Sequence, residues 1–174
     1  MRIPFLASAV AALLVLASCG GGSTPPRPTP IPTVPSTVVP TQAGQATVTV
    51  KSRPPYGDFL GDRASRSLYL FVRDTKGGKT SACDAQCLRS WTPFTSIGQA
   101  LAGNGVPQRL VGTITLPGGK AQVTYNGWPL YYYARDTSAS DTNGEAVDDA
   151  WFLVSVDGNP IPPPILTPTP TVVR

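Results

Sequence analysis

Along the middle of the chain, apolar positions come in short runs separated by turn residues. ATVTVKS (46–52), SLYLFV (67–72), GTITL (112–116), AQVTY (121–125), PLYYYA (129–134) and WFLVSV (151–156) are all rich in β-branched and aromatic side chains. Such runs, bounded by Gly, Pro, Asn and Asp, predict strands. The pattern therefore describes a mainly β protein, a small antiparallel domain with one or two short helical turns. The expected turns are a short helix from Cys83 to Trp91 and a weaker one in SIGQALAG (96–103). LPGG at 116–119 and the pair Asn126-Gly127 punctuate hairpins, and the latter suits two successive positive φ angles.

One of these runs is written twice. LYLFVRDT at Leu68–Thr75 returns as LYYYARDT at Leu130–Thr137, 62 positions later. Each aspartate is followed by a polar loop and a tryptophan, Trp91 lying 17 residues after Asp74 and Trp151 lying 15 after Asp136. Two copies of one supersecondary unit, about 56–94 and 118–158, predict a pseudo-twofold domain. In a strand, Tyr69 shares a face with Phe71, and Tyr131 with Tyr133, while Leu68, Leu70, Val72 and Leu130, Tyr132, Ala134 face the other way. Apolar character on both faces predicts strands in the middle of a sheet, with tyrosine hydroxyls reaching polar groups at the edge of the core. The alternative is an aromatic platform for a sugar or aromatic ligand, built on Trp128 and Tyr132. Asp74 and Asp136 end their strands before a threonine, and read as turn residues accepting bonds from the next backbone amides. The repeated Arg73 and Arg135 suggest matched salt links between the copies.

The flanks differ sharply from this core. One arginine precedes an apolar stretch from Ile3 to Leu16, too short for a stable membrane span, and the stretch closes on Leu16-Ala17-Ser18-Cys19. This resembles the bacterial lipobox. Residues 1–18 are therefore expected to be a lipoprotein signal peptide and Cys19 the lipidated residue, tethering the mature protein to a membrane. Gly20 stands where an aspartate commonly retains lipoproteins at the inner membrane, so outer-membrane or outer-surface placement is expected. Residues 19–44 and 162–174 are rich in Pro and Thr and read as a disordered spacer and tail, leaving 45–161 as the folded two-repeat domain.

Composition removes many chemistries. The 174 residues contain no histidine, and the single methionine is the initiator. Without imidazole there is no Ser-His-Asp or Cys-His pair and no usual zinc, copper or haem ligand set. No phosphate-binding Gly-rich loop is present, no cofactor is implied, and the reading is of a protein that is not an enzyme. The pI of about 9.1 looks basic. Within 45–161, however, eleven Lys/Arg and ten Asp/Glu are scattered, which argues against nucleic acid as a partner.

Two features keep sharper alternatives open. Cys83 and Cys87, in an oxidising compartment, are most simply a disulfide, with an envelope redox or metal-handling site as the alternative. The loop DTSASDTNGEAVDD gathers Asp136, Asp141, Asn143, Glu145, Asp148 and Asp149. Its oxygens suit a hard cation, although the spacing fits no EF-hand and the metal reading is the lesser one. Asp141, Glu145 and Asp148 are also the carboxylates that a carboxylate-based enzyme would use, if two of them converged in a pocket.

Tyr69, Phe71 and Asp74, and again Tyr131, Tyr133 and Asp136, resemble the Tyr-x-(Phe/Trp/Tyr)-x-x-Asp motif of bacterial lipoproteins called secreted repeats of unknown function. The likeness takes in the Cys83/Cys87 loop leading to WTPF, the QVTYNGWPLYYY stretch and DTNGEAVDDAW, and so nearly the whole domain. Thr92 stands where that family tends to have proline, Ser65 where its first hairpin carries glycine, and Glu145-Ala146 where it has Gln-Gly. The resemblance implies an envelope address and a two-repeat architecture, and brings no established activity. The expected role is a non-enzymatic binding or structural domain whose partner is an envelope protein or glycan.

Overall fold

The computed structural model describes residues 43–163. The signal segment, Cys19, and all but the last two residues of the spacer and the first two of the tail lie outside the described residues. Among the described residues, eleven strands form three small sheets. Strands β1 (Thr47–Arg53) and β2 (Gly57–Gly61) make an antiparallel hairpin, and β6 (Leu101–Ala102) adds to β1 in parallel, the one departure from antiparallel pairing. Strands β7 (Val111–Thr115) and β8 (Ala121–Tyr125) make the matching second hairpin, with β5 (Thr95–Ser96) and β9 (Trp128–Pro129) also paired to β8. Asn126 (φ 47°) and Gly127 (φ 83°) form the expected turn between β8 and β9.

The central sheet shows what the repeat is for. Its order is β11 (Trp151–Leu153), β3 (Tyr69–Phe71), β10 (Tyr131–Tyr133), β4 (Trp91–Pro93). The two copies of the repeated strand lie side by side with Tyr69 opposite Tyr131. Each is flanked by the tryptophan strand of the other copy, Trp151 opposite Phe71 and Trp91 opposite Tyr133. The hairpins follow the same exchange. Leu60 of β2 donates its amide to Val154 (2.8 Å), just beyond β11, and Val123 of β8 donates to Phe94 (2.7 Å), just beyond β4. Neither copy completes the central sheet without the other.

Both faces of this sheet are covered, as expected for a central strand. One face carries Leu68, Leu70 and Leu130 into a cluster with Val48, Leu60, Phe94, Val123 and Tyr125. The other face carries an aromatic cluster of Tyr69, Phe71, Trp91, Tyr131, Tyr133 and Trp151. The strands are shorter than the sequence suggests, because Val72 and Ala134 lie beyond their ends and are exposed. Trp128 and Tyr132 are half-buried against the first cluster instead of forming a platform. The Arg66 guanidinium sits 3.6 Å from the centre of the Tyr132 ring, and the Tyr132 hydroxyl donates to Asp62 (2.8 Å).

Of the two expected helical turns, the first is present in shortened form and the second is corrected. Between Cys83 and Trp91 only a single 3-10 turn forms, Cys87–Arg89, because the disulfide and an Asp84 carboxylate that accepts the Gln86 and Cys87 amides (3.0 and 2.9 Å) fold the segment locally. SIGQALAG is not helical. Ser96 ends β5, Leu101 and Ala102 form β6, and Gln108 ties this stretch down through its side chain to the Ala102 amide and the Ala100 carbonyl.

Candidate functional site

The repeated aspartates do not make turns with the amides that follow them, which corrects the expectation from sequence. Each reaches across the pseudo-twofold to the tyrosine of the other copy. The Tyr131 hydroxyl donates to Asp74 Oδ2 (2.7 Å), and the Tyr69 hydroxyl donates to Asp136 Oδ2 (2.6 Å). The second oxygen of each carboxylate accepts a backbone amide from the far part of its own loop, Ala82 for Asp74 (2.6 Å) and Asn143 for Asp136 (2.9 Å). A carboxylate therefore ties three things together: its strand, its loop and the opposite repeat. Burial raises the pKa of both carboxyls, while these donated bonds oppose the shift. Burial and the neighbouring carboxylates raise Tyr69 and Tyr131, so both stay protonated donors.

The loops complete the same scheme with different residues. In the first, the Ser81 hydroxyl lies 2.6 Å from the Tyr131 hydroxyl and accepts the Cys83 amide (2.9 Å), and Cys83 is bonded to Cys87 with their Cα atoms 5.2 Å apart. In the second, the Gly144 amide approaches the Tyr69 hydroxyl (3.3 Å). A Cβ on Gly144 would lie 2.8 Å from the Tyr69 ring and 2.9 Å from the Trp91 ring, so only glycine fits. Two departures from the family resemblance, Ser65 (φ 65°) and Ala146 (φ 58°), take left-handed backbone angles where that family has glycine, at a cost of about 1 kcal/mol each.

The aromatic cluster is a column of four rings. Phe71 stacks on Trp151 (4.2 Å), Trp151 on Trp91 (3.7 Å, 5° between planes), and Trp91 on Tyr133 (4.3 Å). Tyr69 and Tyr131 meet Trp91 and Trp151 edge-on. This column floors a groove of about 440 Å³ where the first loop faces the second. Arg73, Gln86, Cys87 and Asp148 line it together with Phe71, Trp91 and Trp151. Arg73 and Arg135 are both exposed, and among the described residues neither forms an ion pair with the other copy's aspartate, which removes the proposed salt links. The carboxylates they were to meet are taken by the tyrosines.

The acidic loop disperses its carboxylates. Asp141 accepts the Thr137 and Ser138 amides (3.0 and 2.8 Å), Glu145 accepts the Leu153 amide (2.6 Å), and Asp148 is exposed. Asn143 spends its side-chain amide on the Arg135 carbonyl (3.2 Å). Among the described residues no group of three or more Asp, Glu, Cys or His is placed to hold a metal ion. Asp141 and Glu145 thus serve two separate local contacts, and Asp148 faces solvent.

Glu145 stands out, because its Oε1 is buried without a partner and burial pushes its pKa up to about 7. A carboxyl whose folded pKa lies above its unfolded value stabilises the fold fully below about pH 4.5 and loses that contribution as pH rises towards 7. Glu145→Gln removes the buried charge and keeps an acceptor for Leu153. We expect it to be near neutral at pH 4.5, to stabilise by roughly 2 kcal/mol at pH 8, and to flatten the decline between them. Urea unfolding at a series of pH values reads this directly. An unchanged pH profile would mean that the carboxylate is solvated in the folded state.

A lipoprotein family model described as a secreted repeat of unknown function matches residues 49–95 and 112–155, more than half of the chain. The chain belongs to that family. The two matched ranges start earlier than the expected repeats and take in most of β1 and β7, the first strands of the two hairpins. No curated protein and no solved structure matches the chain. No helix among the described residues is long and apolar enough to cross a membrane.

Gln122, Gly144 and the stacking of the two tryptophans were not apparent from sequence. The similar placement of Trp91 and Trp151, 17 and 15 residues after their aspartates, was the available signal for the last of these, since it puts both on the strand that follows the loop.

Proposed function

We propose that the protein is a non-catalytic binding module of the cell envelope, anchored by a lipid on Cys19, which holds an envelope glycan in the groove between its two loops. One observation carries this reading. The copies differ most in the loops after Asp74 and Asp136, and those two loops meet at one groove over the aromatic column. Its rim offers what sugar hydroxyls need, acceptors in Asp148 and donors in Arg73 and Gln86, around an apolar floor. The Leu16–Cys19 sequence and membership of a secreted family support the anchor.

The test is binding of soluble glycan fragments from the organism's own envelope to the full chain and to an Arg73→Ala/Asp148→Asn variant. Both positions are exposed, so the variant should fold. Retention by the wild type and loss of at least about ten-fold affinity in the variant is expected. No retention, or equal retention, sinks the proposal.

A second reading rests on Cys87, which lines the same groove. A redox role requires the Cys83–Cys87 disulfide to cycle in the envelope. Thiol trapping of exported protein distinguishes the two, a persistently oxidised pair favouring the binding module.

A further inference from the structure

A second cavity, of about 420 Å³, lies between the disulfide loop and the tip of the β7–β8 hairpin. Its walls include Cys83, Leu88, Pro93, Leu116 and Pro117, and no charged side chain lines it. Leu88 is one of three large apolar residues exposed among the described residues, at 46%. A charged ligand would be desolvated here without a counter-charge, so the chemistry suits a neutral one. The volume falls within the range of small-molecule sites, which are mostly apolar with a few placed polar groups.

The deepest polar group on its wall is Gln122, beside the hydroxyls of Thr80, Ser81 and Thr115. It is wholly buried, lines the cavity, and its Oε1 has no hydrogen-bond partner. The amide orientation is fixed, because Nε2 donates to the Leu130 carbonyl (2.9 Å). Of the hydroxyls on the wall, that of Ser81 is paired with Tyr131, which itself donates to Asp74, and those of Thr80 and Thr115 leave Oε1 without a partner. Oε1 thus offers an open acceptor position that a donor from outside the protein can take. The Cys83–Cys87 bond and the Ser81–Cys83 contact hold one wall in place before any ligand arrives.

We propose that this cavity binds a small neutral molecule with an apolar body and a single O–H or N–H donor, which the Gln122 side-chain carbonyl accepts. The site is separate from the loop groove and stands or falls independently of the glycan reading.

Phenol and anisole are suitable probes, because they share an apolar ring and only phenol carries the donor. In amide NMR titrations of the full chain, phenol should shift residues around Cys83, Leu116 and Gln122 and bind at least about ten-fold tighter than anisole. Gln122→Met, similar in volume but without the carbonyl, should abolish that preference. Leu88→Asp, at an exposed position, should weaken both probes without unfolding the protein. Absence of shifts at these residues, equal binding of the two probes by the wild type, or a phenol preference that survives Gln122→Met overturns the proposal. So does a crystal structure in which one ordered water on Oε1 persists with phenol present. If Gln122→Met does not fold, the wild-type preference and Leu88→Asp still decide the matter.

Discussion

Trp151→Ala is expected to destabilise the domain by about 3–5 kcal/mol, enough to leave little folded protein if the total is near the usual lower limit. Trp151 is 3% exposed at the centre of the ring column, with Phe71 on one side, Trp91 on the other and the Tyr131 ring edge-on. Truncation removes its own contacts and leaves both neighbours facing a void. The void cannot close by a small shift, since the sheet beneath fixes Phe71 opposite Trp151 and Tyr133 opposite Trp91. By the pseudo-twofold, Trp91→Ala should cost a similar amount. Because the indoles stack on one another, the double variant should cost less than the sum. Trp128→Ala is the control, a half-buried tryptophan outside the column expected to cost about half as much. Guanidinium unfolding followed by far-UV circular dichroism measures all four. A loss below about 1 kcal/mol for either column tryptophan would show that the two repeats do not depend on this contact.

The repeated strand was legible in sequence because two periodicities agreed: apolar residues on both faces, and the recurrence of tyrosine, aspartate and tryptophan at similar spacings. The central position of β3 and β10 follows from the first, and the pseudo-twofold from the second. Neither says which strand borders which. The exchange, in which each motif strand pairs with the tryptophan strand of the other copy, depends on contacts between positions far apart in the chain. The aspartates were misread for the same reason. A local rule assigns Asp before Thr to a turn, but a partner at the end of a long tyrosine side chain in the other repeat leaves no trace in local sequence. β2 was missed because GDFLG has two adjacent apolar residues between glycines, with no alternation to mark it. β6 was missed because the apolar spacing of SIGQALAG imitates a helical turn. The loop groove was half legible. Divergence marked both loops, while their convergence over the aromatic column required the fold.

Tyr131→Phe is the second large effect, expected to cost about 2–3 kcal/mol at neutral pH. It removes one hydroxyl and nothing else, but that hydroxyl is a donor to a carboxylate that is only 5% exposed. Asp74 would retain the Ala82 amide, and Ser81 would lose the Tyr131 hydroxyl while keeping the Cys83 amide. The cost should shrink near pH 3, because a protonated Asp74 does without a second donor, and the pKa of Asp74 is already raised by burial. A cycle of Tyr131→Phe, Asp74→Asn and the double variant isolates the contact between copies, with a coupling of about 1–2 kcal/mol expected. The Tyr69–Asp136 pair should give a coupling of the same sign, somewhat smaller because Asp136 is only half-buried. If both couplings are zero within error, each aspartate serves only its own loop. Matched couplings would mean that the motif binds repeat to repeat through a buried carboxylate. Substitution at either aspartate should then loosen the two loops together, and with them the groove that they form.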